Sequence, residues 1–568
     1  MKDHYPTYPT IPAGWLVDPA GQPEYVVPEG WDVAAEFGLA EVLVDRHVAA
    51  GRGEGVAFVE ADRGRTWTYS DLQAASLRFA AVLEDLGVSA GDRVALRTPN
   101  VTEAVVAWLA TWRLGAVVAL TPPHARRAEI PFFVADTRPK VLVVANQSPY
   151  VDEVMACRDQ LSGLDHIVAF PDATGTPFLS WADLEAGCRI PFVPRAVPPE
   201  SPAVVWHTGG TTGVPKACYH TVRRVVLGGE AGTRAYGVVP GDVHLFPAPL
   251  GHAAGWLSRS TFTLYRGITT VELEHFADPR NVLRAVEEHR VTWLIALATS
   301  WVAMLRAHEE DGARSDLSSL RRAYAPFLTG IGAWLYDGWQ KHGVRLLNPM
   351  GSTAFASWFM IPPHDEDVPP MAVGRPSPGY QVRIVVPDSD PLRDVEPGAY
   401  GQFALRGPTG LTYWNRPDRQ ARDVREGWTL IDDLGRRDPQ GWYWYMGRTD
   451  LMVTVSGFKV APVEVEELLA EHSSVAEVAV TAAPDPERGE VVMAWVVPAD
   501  GVEPTVDLAS ELQRLVKDRV APYKAPRRIQ FMRSLPHDPL GKPVVKLLCA
   551  WARGEGEPEN TYPVAVSS

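Results

Sequence analysis

An alternation constrains this chain more than any other feature. Between Trp67 and Ser300 short apolar runs take turns with amphipathic ones. "YSDLQAASLRFAAVLEDLG" has helical periodicity, with Ser70 and Asp71 placed to cap it. "RVALRTP" and "KVLVVAN" read as short buried strands, "NVLRAVEEHRV" as a helix and "TWLIALA" as a further apolar run. Helices that return the chain between strands imply an α/β region with largely parallel sheets. Ligands in such folds sit at the carboxyl ends of strands. The most membrane-like stretch, "AVVAWLATWRLGAVVAL" from Ala104 to Leu120, is short for a span and holds Arg113 in its middle. It reads as a buried helix leading into a strand.

The chain has 568 residues, more than one core supports, so at least two domains are expected. A second region begins near Gly398, where "GAYGQFALRG", "GWYWYMGR" and "LMVTVSG" read as strands broken by glycines. After Asp450 the pattern changes again. "PVEVEELLAEH" and "LASELQRLVKDRV" read as helices, and "VAEVAVTAAPD" and "EVVMAWVVP" as strands, which makes a compact α+β unit. The polar, proline-containing tail "RGEGEPENTYPVAVSS" is expected to be unstructured.

Charge and cysteine content exclude several functions. The formal net charge is −15 and no run of Lys and Arg builds a basic face, so a nucleic-acid binder is not expected. The four cysteines are scattered with no C-x-x-C pair, which argues against a disulfide framework and a structural zinc site, and no metal-ligating set stands out. The N-terminal "MKDHYPTYPTIPAGW" lacks the apolar core of a signal peptide, so a soluble cytoplasmic protein with no membrane partner is expected.

"VVWHTGGTTGVPKACYH", Val204 to His220, is an apolar strand running into glycines, hydroxyls and one lysine. Such loops hold phosphate, because closely spaced backbone N–H groups and hydroxyls can all point at one anion. It is not a Walker A element, since Val214 and Pro215 separate Gly213 from Lys216. Lysine is rare in this arginine-rich chain, so a lysine here suits a compact point charge.

Taken with later segments, this loop resembles that of the adenylate-forming superfamily, which includes acyl-CoA synthetases, adenylation domains and luciferase. "FPAPLGHAAGW" resembles the family's acid-pocket segment and "NPMGSTA" its loop near the adenosine and α-phosphate. "LIDDLGRRDPQGWYWYMGRTDLMVTVSGFKVAPVEVE" resembles the ribose-binding and hinge segment, and "LPHDPLGKPVVK" the catalytic-lysine loop. In texture the chain looks most like benzoate- and 2-aminobenzoate-type CoA ligases. The resemblance implies a large N-terminal domain over residues 1–449, built of two α/β subdomains and a small β subdomain. A small mobile α+β C-terminal domain over 450–550 carries the catalytic lysine, and 551–568 is a flexible tail.

The implied reaction joins an acid to AMP from ATP, then transfers the acyl group to a thiol. Charge builds on phosphoryl oxygens, so positioned cations and N–H donors matter more than an acid–base pair. The resemblance assigns Thr208, Gly209, Gly210, Thr211, Thr212, Gly213 and Lys216 to the phosphates, and Met350, Gly351, Ser352 and Thr353 to the nucleotide. Asp433 and Arg448 match the ribose-binding pair, Lys542 the catalytic lysine, Asp450 the hinge and Gly457 the thiol tunnel. Trp206, Phe246, His252, Gly351 and Phe355 are expected around the acid, with Trp256 and Trp358 as further walls; aromatic walls suit a flat aromatic acid. ATP, Mg²⁺ and CoA are the implied cofactors.

Three departures stand against the family pattern. Gly209-Gly210 replaces serine–glycine, and Ala354 stands where a glutamate normally helps hold Mg²⁺. "AYAPFLTGIGAW" is bulkier than the usual adenine-contacting turn. Alternatives therefore stay open: an aromatic acid–CoA ligase, an ATP-dependent diazotase using nitrite on an aromatic amine, transfer to a carrier protein, or a relative that only binds.

Overall fold

The computed structural model describes residues 8–31, 33–34, 36–188, 192–208, 215–312, 314–326, 334–455, 458–537 and 543–567. The alternation resolves into two seven-stranded sheets. The first runs Leu179–Ser180, His166–Phe170, Val141–Ala145, Arg93–Arg97, Val117–Leu120, Pro202–Thr208, Lys216–Thr221. All its pairings are parallel except the last. The second runs Leu346–Leu347, Arg322–Tyr324, Trp293–Ile295, Val243–Leu245, Thr269–Glu272, Val56–Glu60, Arg65–Thr68, again with one antiparallel edge pair.

The helix Tyr69–Asp85 starts one residue earlier than its expected caps. Thr68 is the N-cap, and Thr68 and Asp71 form a reciprocal capping box. Asp71 therefore caps as expected, whereas the Ser70 hydroxyl turns to Glu54 (3.4 Å). The stretch 104–120 forms the helix Thr102–Arg113 and the strand Val117–Leu120. Arg113 is fully buried there and forms a two-pronged pair with Asp45, both contacts 2.8 Å. That pairing explains how a guanidinium sits buried at the end of an apolar helix. Among the described residues no helix is long and apolar enough to cross a membrane.

A five-stranded antiparallel sheet follows, built from Gln381–Val385, Tyr400–Arg406, Val424–Arg425, Trp428–Arg437 and Tyr443–Arg448. It begins before Gly398, because "YQVRIV" supplies its first strand. The short turn Thr449–Leu451 leads out of it, and Val453–Val455 enters the final six-stranded sheet. That sheet and the helices Pro462–Ala470, Val506–Arg519 and Val545–Ala552 form the α+β C-terminal part.

The tail corrects the expectation of an unstructured end. Thr561–Ser567 pairs antiparallel with Arg528–Met532. Its "TYPVAVS" is rich in β-branched and aromatic residues, and an edge strand tolerates its proline. The strand also covers an edge that would otherwise expose unpaired backbone groups.

Candidate functional site

Strand ends from both parallel sheets meet the small β sheet and the C-terminal part at a cleft of about 370 Å³. Thr208, the last residue of its strand, pairs in register with Lys216 on the antiparallel neighbour. Thr208 and Lys216 thus close a hairpin of two adjacent antiparallel strands, and both line the cleft. Gly209, Gly210, Thr211, Thr212 and Gly213 lie outside the described residues. The Thr208 hydroxyl donates to the Lys216 carbonyl oxygen (3.3 Å). Burial, and then the Arg419 charge, pull Lys216 below the usual lysine range.

Asp432 and Asp433, on Trp428–Arg437, line the cleft opposite Arg448. Arg448 stands across from Asp433 in the strand register (Nη1–Oδ1 3.7 Å), and its Nε donates to Asp450 (3.0 Å). Burial works against the Arg448 charge, but Asp433 and Asp450 outweigh it and raise its pKa. Asp432 faces Arg419 and Arg422 at 3.3 Å each. Arg419 is a cleft residue that the sequence reading missed. Its signal was "NRPDRQAR", which places Arg419 and Arg422 three apart at the end of a proline-started helix, Pro417–Asp423.

From the C-terminal part come Glu466, Glu477–Val480, Pro543 and Val545. Lys542 lies outside the described residues; its neighbour Pro543 lines the cleft and bridges to His537. Glu466 accepts from the Val480 N–H (2.8 Å), and burial pushes its pKa up to about 8. A neutral carboxyl there adds no negative charge to a cleft that must receive phosphates. Gly457 also lies outside the described residues.

Deeper in, a small pocket of about 80 Å³ opens beside the cleft. Leu297, Gly351, Ser352 and Thr353 border both cavities. Phe246, His252, Leu257 and Trp358 complete the pocket's main walls. His252 also caps the helix Ala253–Leu257, its Nδ1 accepting the Ala254 N–H (3.2 Å). Three expected site residues fall elsewhere. Trp206 is buried against Trp256 and His220, with its N–H donated to the Thr353 carbonyl oxygen (3.0 Å). Phe355 packs against Phe359 and Tyr380, and Met350 is buried in the same cluster. All three lie behind the site, and a register irregularity between Met350 and Gly351 separates the buried methionine from the cavity-lining residues that follow it.

Beneath the hairpin lies a pairing that the sequence did not announce. His207 Nε2 donates to Asp136 (3.0 Å), and Arg416 donates to the other Asp136 oxygen (2.7 Å). Asp136 thereby ties the strand before the phosphate-type loop to the segment that starts the Arg419 helix.

Among the described residues, no three His, Cys, Asp or Glu side chains group to hold a metal ion. Ala354 puts a methyl group into the cleft wall, and Asp432 and Asp423 face arginines. These described residues do not form a Mg²⁺ cage.

Comparison with known proteins places this geometry. Residues 45–414 match the family model of the AMP-binding enzymes, and 464–542 match that of the AMP-binding enzyme C-terminal domain. An indoleacetate–CoA ligase from Aromatoleum aromaticum is 32% identical over 88% of this chain and 95% of its own length. The structure of an anthranilate CoA ligase with anthranoyl-AMP superposes with a TM-score of 0.83 at 26% identity, over 92% of this chain and 98% of that one. An amide bond synthetase from Marinactinospora thermotolerans gives a TM-score of 0.77 at 28% identity, over 90% of this chain and 99% of that one.

Proposed function

The chain belongs to the AMP-binding enzyme family, and on that premise we propose that it activates an aromatic carboxylic acid with ATP and passes the acyl group to CoA. One observation carries this reading: a polar cleft and an apolar pocket share a wall of Leu297, Gly351, Ser352 and Thr353. A ring seated in the pocket would present its carboxylate to the cleft, where the α-phosphate of ATP would lie. The carboxylate oxygen attacks that phosphorus, the bond to pyrophosphate breaks, and an acyl-AMP forms. Lys216 and the Arg448 pair would hold phosphate and ribose, while Lys542 would orient carboxylate and α-phosphate and offset charge in the transition state. The thiol then attacks the acyl carbon and AMP leaves.

Two of the relatives support an aromatic acid, being named for indoleacetate and anthranilate, while others are named for acetate or long-chain fatty acids. Rotation of the C-terminal part about Asp450 would exchange Lys542 for the segment around Gly457, which would line the thiol's approach. Mass spectrometry of a reaction with ATP, Mg²⁺, CoA and a panel of benzoic and cinnamic acids tests the proposal. A CoA thioester of one aromatic acid is the expected product. A diazo product that needs nitrite and not CoA, or an acyl-AMP that only an amine or a carrier protein discharges, would contradict the CoA step.

A further inference from the structure

Residues 412–414 run along the hairpin strand Lys216–Thr221. The Tyr219 N–H donates to the Thr412 carbonyl oxygen and the Trp414 N–H to that of Ala217, both at 2.9 Å. The helix Pro417–Asp423 follows, and this placement brings Arg419 into the same cleft wall as Lys216. After burial, the Arg419 charge is what most disfavours the Lys216 proton. Two cations held at one cleft repel each other, a cost that an anion between them removes. Asp423 fixes Arg419 from behind. Its carboxylate is buried, accepts from the Tyr413 hydroxyl (2.8 Å) and pairs with the Arg419 Nε (3.0 Å). The outer edge of the guanidinium is held more loosely. Its Nη2 reaches Asp432 at 3.3 Å, and Asp432 is shared with Arg422 (3.3 Å) and Arg448 (3.6 Å). A charge-assisted hydrogen bond to a carboxylate normally measures about 2.7–2.9 Å. Three guanidinium groups thus crowd one half-buried carboxylate, and none grips it tightly.

We propose that Arg419 binds the phosphate tail of ATP, and pyrophosphate as it leaves, together with Lys216. The inference rests on the proposed acid-activating function and adds a residue to its ATP site. A guanidinium presents five N–H donors in a planar fork that matches pairs of phosphate oxygens. Asp423 keeps hold of Nε, so the Nη groups can pass from Asp432 to a phosphate while the root of the side chain stays in place. Arg419 lines the cleft and not the small pocket, so it faces the nucleotide and not the acid. Lys216 closes the phosphate-type hairpin and marks the phosphate end of the cleft, whereas Asp433 and Arg448 pair at the other side. When the bond between the α-phosphate and pyrophosphate breaks, negative charge grows on the leaving oxygens. A cation already positioned there favours their departure.

The test measures the affinities of a non-hydrolysable ATP analogue and of AMP by calorimetry, with Mg²⁺ present, for the full chain and for Arg419→Gln, Arg419→Lys and Asp432→Asn. The readout is the ratio of the two affinities, which cancels effects on the ribose and the fold. In Arg419→Gln the preference for the analogue should fall about 10- to 100-fold, the scale of one lost hydrogen bond to a charged group. Arg419→Lys keeps the charge without the fork and should show a smaller loss of the same kind; it decides the question if Arg419→Gln does not fold. Asp432→Asn breaks the same ion pair from the other side, yet should not lower the ratio, because it releases the guanidinium and removes a negative charge. An unchanged ratio in the arginine variants overturns the inference, as does an equal fall in Asp432→Asn, which would mark the pair as scaffolding only. A selective loss in the arginine variants, with no acid supporting pyrophosphate exchange in the wild type, contradicts the proposed activity while upholding the phosphate contact.

Discussion

A Cβ added to Gly351 would lie 2.8 Å from both the Trp358 indole and the Ser357 carbonyl oxygen. Gly351 and Trp358 face each other in adjacent strands, so the missing side chain is what lets the indole lie flat along the pocket wall. Gly351→Ala should push the indole into the pocket and raise the acid's KM about tenfold, the scale of mild overpacking, with less effect on the KM for ATP. Steady-state kinetics with each substrate varied in turn would check the split. The sequence singled out Gly351 through "NPMGSTA", but Met350 and Phe355 beside it are core residues. Motif membership does not say which way a side chain faces; tertiary packing decides that. Trp206 packs against Trp256 and His220 behind the site, whereas Phe246 and His252 border the pocket.

Elements were more legible than side-chain directions. The apolar runs around Val141 and Pro202 and the helical period after Thr68 are local signals, and each gives the expected element. The tail strand was missed because its partner, Arg528–Met532, lies some thirty residues earlier and no local feature announces it. The Asp136 tie was hidden for the same reason. Asp136→Ala should leave His207 and Arg416 without their acceptor and lower stability by about 1–3 kcal/mol. Because the strand that ends at Thr208 loses its anchor, the KM for ATP should rise as well. Urea melts and ATP kinetics report the two effects.

The helix Pro462–Ala470 carries a pH-dependent term. Glu466 has a folded-state pKa of about 8, far above the ~4.3 of an unfolded glutamate. Between these values the native state holds a proton that the unfolded state has released, so stability falls as pH rises through the window and levels off above about 8. Glu466→Gln keeps the neutral form at every pH. Its stability should decline less from pH 5 to 8 than that of the wild type, which thermal melts across that range would reveal.

At the scale of the whole molecule, the cleft takes its walls from two parallel sheets, the small β sheet and the C-terminal part. Only the turn Thr449–Leu451 connects the last two in sequence. If rotation there separates the two half-reactions, Asp450→Pro should preserve acyl-AMP formation and suppress thioester formation, because a fixed φ removes the hinge's freedom. Asp450→Ala, which loses only the Arg448 pairing, should retain both. This architecture was legible because several separated motifs agreed on it. The acceptor was not, because nothing in the ATP-facing residues distinguishes a thiol from another nucleophile.

The most direct measurement is acid-dependent exchange of labelled pyrophosphate into ATP, for the wild type and for Lys542→Ala. Exchange is expected to require an aromatic acid and to fall about 10²–10³-fold in the variant, the loss that follows when one key electrostatic group is removed. Exchange at the wild-type rate in Lys542→Ala, or no exchange with any aromatic acid, would contradict it.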